Sequence, residues 1–167
     1  TKKLFSIALV AIMFALAIPA NAQFGKALKK AGKSVAKSVG DVAGDMASDA
    51  VANKVSVKMV EFMDNNNTIA GEDSDYYKRL AGLVSSKYVN VDGLNLNYKV
   101  YDNPEANIIT TADGSIRIYS GMMDMLSDDE LLAVISTQIG HLANKDVRDA
   151  LLKVASEDNA TKAGGAQ

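Results

Sequence analysis

The stretch Ser127-Asp128-Asp129-Glu130, running into Leu131-Leu132-Ala133-Val134-Ile135, constrains this chain more than any other. A Ser with a Glu three residues later is a capping box: the hydroxyl takes the Glu amide and the carboxylate reaches back to the Ser amide. Two further acids in the first turn suit the positive end of the helix dipole. The spacing predicts a helix from Asp128 to about Ala143. Leu131, Val134, Ile135, Gln138 and Leu142, with the Leu132 to Ile139 row, make it apolar around much of its girth. Such a helix is central, with other elements packed on several sides.

Those other elements are legible as periods. Leu94, Leu96, Tyr98 and Val100 alternate with Asn95, Asn97, Lys99 and Tyr101, a half-buried strand after an Asp92-Gly93 turn. Asn107 to Thr111 reads as a second strand. Asp113-Gly114 reads as a hairpin turn, and Ile116 to Tyr119 as a third strand. Ser74 to Ser86 has a helix period with Tyr77, Leu80, Ala81 and Val84 on one face. Upstream, Val35, Val39, Val42 and Met46, then Val55, Met59, Phe62 and Met63, continue a helical stripe, and Asp146 to Ala155 is a further helix. The expected fold class is α+β: a small antiparallel sheet around a central motif helix. Asp64-Asn65-Asn66-Asn67 is a helix end and turn, not a calcium loop. Ile69 stands where an EF-hand loop needs Gly, and its twelfth position is Asp75 rather than Glu.

The N-terminus carries an export signal. Lys2-Lys3 precedes an apolar run of fifteen residues, Leu4 to Ile18, broken only by Ser6, and Ala20 and Ala22 occupy the small-residue positions of a cleavage site before Gln23. The expected organisation is a signal peptide over 1–22, an Ala/Lys-rich helical region over 23–66, a folded domain over 67–155 and a flexible tail over 156–167. The mature chain is then periplasmic or extracellular. Within 24–40, Lys26, Lys29, Lys30, Lys33 and Lys37 stand without an acid. They form either a basic face for an anionic membrane surface or the solvated face of a helix packed on the domain.

Composition excludes much chemistry. A formal net charge of −2 and three Arg (Arg79, Arg117, Arg148) argue against a nucleic-acid surface. The absence of Cys removes disulfides, thiolate metal sites and a Cys nucleophile. A single His, His141, limits metal and acid–base work. No Ser–His–Asp set uses it, because Ser136 lies five residues before it on the same helix. Asp128 and Asp129 are solvated capping acids, not a glycosidase pair.

Thr137-Gln138-Ile139-Gly140-His141 has the length and tail of H-E-x-x-H, in which two His at i and i+4 turn to one metal and the Glu activates its water. Thr137 is a poor zinc ligand, and the Gln138 amide cannot take a proton from water.

Asn107, Asp113-Gly114, Ile116 to Ser120, Gly121-Met122-Met123, Asp129 to Ile135 and Ile139-Gly140-His141-Leu142 form one ungapped block of about forty residues. This block resembles the HtpX-like and CAAX-prenyl-protease-type zinc metallopeptidases. The resemblance implies a zincin-like α+β domain, zinc as cofactor and endoproteolysis of peptide or protein substrates, often of the bacterial envelope. It places His141 at a retained zinc-ligand position. Thr137 falls at a substituted ligand position and Gln138 at the substituted general-base position. It makes Ile116, Arg117, Ile118 and Tyr119 the candidate edge strand for an extended substrate. The family's third ligand, a Glu on a later E-x-x-x-D helix, has no counterpart. Glu157, the only Glu after His141, comes sixteen residues on and is followed four residues later by Thr161. The expectation is a domain incomplete at its C-terminus that binds no zinc and hydrolyses nothing. The alternatives are a non-catalytic, chaperone-like peptide binder or a membrane-surface protein acting through its basic helix.

Overall fold

The computed structural model describes residues 45–85 and 87–153. The expected signal peptide, the basic segment 24–40 and the tail lie outside the described residues. The architecture is three layers: one helix, a small sheet, then a helical layer.

The first layer is α1 (Asp45–Asn66). Ala52, Val55, Ser56, Met59, Val60 and Met63 are buried, at alternating spacings of three and one. That spacing is one face of a helix, and it lies on the sheet against Tyr101, Ile109 and Tyr119. Asn66 and Asn67 turn their side-chain amides back to the carbonyls of Phe62 and Met63. These bonds satisfy two of the carbonyls that a helix end leaves without partners, as expected for this turn.

The second layer holds β3 (Asn97–Tyr101), β4 (Ile108–Thr110) and β5 (Ser115–Tyr119) in the order β3-β5-β4. Ahead of them, β1 (Asn90–Val91) and β2 (Leu94–Asn95) form a separate antiparallel hairpin. The alternating run 94–101 therefore divides between two sheets at Leu96.

Two expectations are corrected here. The sheet is mixed, not antiparallel. β4 pairs antiparallel with β5 through the tight Asp113-Gly114 turn, but β3 pairs parallel with it, Tyr98 opposite Ile116 and Val100 opposite Ile118. The chain reaches that register by crossing from one edge of the sheet to the other before the hairpin. Second, Ile116, Arg117, Ile118 and Tyr119 are not an edge. β5 is the middle strand, buried along its whole length, and both its ladders are taken by β3 and β4. The physical reason is that alternation reports a face, whereas strand order is set by tertiary pairing. At the turn, Gly114 has φ +85°, and a Cβ there would strike the Asn95 carbonyl, so the hairpin admits no side chain.

The third layer comprises α2 (Asp75–Val84), α3 (Ser120–Met125) and α4 (Asp128–Ala143), with residues 146–153 helical beyond it. Leu131, Ile135 and Leu142 of α4 are buried against Val100, Ile108, Ile116 and Ile118, with Leu80 and Met123 joining them. Each such side chain contributes about 1.5–3 kcal/mol by burial. The Ser127 box is complete: the Ser127 amide donates to Glu130 Oε2 at 2.9 Å, and the Glu130 amide to Ser127 Oγ at 3.5 Å. On α2 the buried stripe is turned from the expected one. Leu80 is buried, whereas Tyr77 is exposed, as is Ala81. The cause is Arg79, whose guanidinium reaches across to Asp128 Oδ1 at 2.7 Å and to the carbonyls of Met123 and Leu126, stapling the α3–α4 turn.

Candidate functional site

The T-Q-I-G-H positions lie on α4 where it passes under β4. Gln138 continues the buried Leu131–Ile135–Leu142 stripe and is 4% exposed. A buried amide needs partners, and its Oε1 accepts a hydrogen bond from Thr110 Oγ1 at 3.0 Å. Thr110 shares the α4-facing side of β4 with Ile108, two residues earlier. Sequence reading passed over Thr110. Its signal was a polar residue at an inward register position of an apolar strand.

Thr137 is exposed, and its hydroxyl donates to the Ala133 carbonyl of its own helix at 2.9 Å. That bond is the ordinary back-bond of a helical Thr. Position 137 therefore presents nothing to a metal beyond a neutral oxygen already used as a donor.

His141 is largely buried, its side chain 14% exposed, with Nδ1 2.9 Å from Asp146 Oδ2. A carboxylate accepts, so in the neutral imidazole Nδ1 carries the proton and Nε2 keeps a bare lone pair. That Nε2 is buried and has no hydrogen-bond partner among the described residues. Among the described residues, this nitrogen is the feature that suits a zinc ion. The remaining donors do not. Among the described residues no group of three or more His, Cys, Asp or Glu could hold a metal. Zinc sites need three protein ligands of those types. The described residues do not fit the zinc that the motif implies.

The structure brings together three of the sequence-predicted positions, Thr137, Gln138 and His141, on consecutive turns of α4. It puts Ile116 and Ile118 on the face of β5 packed against this layer, and Arg117 and Tyr119 on the face packed against α1. Arg117 is 2% exposed. Its Nε donates to Asp64 Oδ1 at 2.8 Å and its Nη2 to Asp64 Oδ2 at 3.1 Å. Lys99 Nζ and the Tyr101 hydroxyl donate to the same carboxylate at 2.7 and 2.6 Å. Burial alone would push the Asp64 carboxyl up. The hydrogen bonds from Arg117, Lys99 and Tyr101 outweigh it and hold the carboxyl at about 2. Burial, with Asp64 beside it, pushes the Tyr101 phenol well above its usual range. This ionic cluster lies on the α1 side of the sheet and faces away from α4.

Comparison with known proteins follows the motif layer. The chain is similar to Metalloprotease LoiP of Escherichia coli (strain K12), 40% identical over 104 residues, which is 62% of this chain and 41% of that protein. It is also similar to Metalloprotease YcaL of the same organism, 41% identical over 81 residues, covering 48% of this chain and 32% of that protein. The chain thus spans less than half the length of these curated relatives. No solved structure matches it. The family model for peptidase family M48 matches residues 79–164, from the arginine that staples the α3–α4 turn through the motif helix and beyond. The chain belongs to peptidase family M48.

Proposed function

We propose that this chain is an exported M48 protein, HtpX-like in its 107–146 block, whose motif helix holds the fold together and does not cleave peptide bonds. One observation carries the reading. Gln138, at the general-base position, is buried, with its carbonyl oxygen already accepting the Thr110 hydroxyl. Hydrolysis needs a proton acceptor there, facing a metal-bound water. An amide offers neither the basicity nor a free lone pair directed at solvent. Thr137 supports the same reading, because it is exposed and bonded to its own helix. The family implies peptide or protein substrates, and on this reading the chain does not cleave them. Export rests on Lys2-Lys3, the Leu4 to Ile18 run and the Ala20 to Ala22 end. A peptide-binding role through Ile116 to Tyr119 has no support, since that strand is interior.

The test is incubation of the mature chain with zinc and an unfolded protein substrate. No fragments are expected. Zinc-dependent cleavage that disappears in His141→Ala would overturn the proposal.

A further inference from the structure

The sequence holds two Asp-Gly steps, Asp92-Gly93 and Asp113-Gly114, and each forms the turn of a hairpin. An Asp-Gly step can rearrange by itself. The glycine amide nitrogen attacks the Asp side-chain carbonyl carbon, and the five-membered imide that forms opens again to isoaspartate. Glycine permits this best, because no side chain shields the nitrogen or restrains the backbone. Two freedoms are needed: a carboxyl able to turn onto the next nitrogen, and a peptide able to meet it. The fold grants them unequally.

At Asp113-Gly114 both are withheld. The Asp113 carboxylate accepts hydrogen bonds from the Thr111 hydroxyl at 2.5 Å and the Ser115 hydroxyl at 3.0 Å. The Gly114 amide donates to the Thr111 carbonyl, and the Gly114 carbonyl accepts from the Asn97 amide, both at 3.0 Å. Gly114 is buried, and the Asn95 carbonyl lies where a Cβ would stand.

Asp92-Gly93 is the two-residue loop between β1 and β2, with Val91 opposite Leu94. Their φ values are +49° and +83°, the tight turn that Asp-Gly favours. Both residues are exposed, and the space beside the Gly93 Cα is open. Among the described residues, none donates a hydrogen bond to the Asp92 carboxylate. The Gly93 amide donates to Asn90 Oδ1 at 3.0 Å, and Asn90 is itself exposed.

We infer that Asp92 is a modification site, which converts to isoaspartate in the folded chain while Asp113 is protected. The Gly93 nitrogen bonds to Cγ of Asp92 and gives up its proton. The carboxyl loses its hydroxyl, and the two leave as water. A second water adds to the Asp92 main-chain carbonyl carbon and breaks its bond to the Gly93 nitrogen, so the chain then runs through Cγ. One water leaves and one returns, and nothing is oxidised or reduced. The product adds one carbon to a loop whose two residues fix the pairing of Val91 with Leu94. Both side chains pack against the apolar cluster that includes Leu131, Ile135 and Leu142 of α4, so the change falls on a turn beside the motif layer. The rearrangement needs only water and does not depend on the chemistry of the T-Q-I-G-H helix.

The test keeps the full chain in warm neutral buffer, folded and, in parallel, unfolded in guanidinium chloride. Isoaspartate at each step is measured by peptide mapping with electron-transfer fragmentation. In the folded chain Asp92 is expected to rearrange within about threefold of its unfolded rate, as an exposed turn that opens at little cost. Asp113 is expected to fall at least about tenfold below its own unfolded rate, the scale of one hydrogen bond to a charged group. Folding that slows Asp92 as much as Asp113, or more, would overturn the assignment.

Discussion

The two faces of the three-stranded sheet spend their polar residues in opposite ways. On the α1 face, Asp64, Arg117, Lys99 and Tyr101 form a charged cluster in which the buried arginine meets a carboxylate and a backbone carbonyl. On the α4 face, where the family motif lies, the polar groups are neutral or few: Thr110 with Gln138, and His141 with Asp146. The contrast teaches that the charge buried on this sheet serves its join with α1. The motif face is left with a hydrogen bond that braces the layers and one imidazole nitrogen without a partner among the described residues.

The largest effect should come from the charged face. Arg117→Ala leaves the half-buried Asp64 with Lys99 and Tyr101 as its partners among the described residues, and should cost about 3–5 kcal/mol in urea unfolding. A loss under about 1 kcal/mol would erase the distinction between the faces. Gln138→Leu should cost less, about 1–3 kcal/mol, because it strands the Thr110 hydroxyl rather than a charge. Adding Thr110→Val to Gln138→Leu should restore most of that loss, since the pair is then apolar on both sides. A double variant as unstable as the single one would mean that the bond is not what Gln138 supplies.

Why these contrasts were only half legible follows from what a sequence encodes locally. The capping box and helical period placed α4 correctly from Asp128 to Ala143, because cap, dipole and stripe are all short-range. The Asp113-Gly114 hairpin was equally local. The parallel pairing of β3 with β5 was not, since alternation names a face and no partner. Arg117 shows the limit at one residue. Its place between Ile116 and Ile118 reads as an outward position, and its partner Asp64 lies 53 residues away on a helix that covers that face. Only the aromatic and apolar company on the same register, Tyr101, Ile109 and Tyr119, hinted that both faces were covered. At the motif, Gln138 and Thr137 are read as substitutions by comparison with H-E-x-x-H alone. The Thr110 and Asp146 partners were not legible, because each is fixed by tertiary contact.

Acid should separate the faces with a smaller effect. The Asp64 carboxyl is held at about 2 against an ordinary 3.8. A depressed carboxylate contributes stability that is complete above its unfolded value and is lost as pH falls through the folded one. Stability should therefore drop between about pH 4 and pH 2, by on the order of 1–2 kcal/mol through this group. Asp64→Asn should flatten that part of the pH profile, and Gln138→Leu should leave it in place. The smallest effect belongs to the helix start: Ser127→Ala removes one cap and should cost about 1 kcal/mol.

Zinc content tests the central claim most directly. The chain, equilibrated with a modest excess of zinc and then freed of unbound metal, should retain far less than one zinc per chain. His141→Ala should retain as little. A full equivalent of zinc in the unaltered chain that is lost in His141→Ala would contradict the account, because the T-Q-I-G-H helix would then still be a metal site.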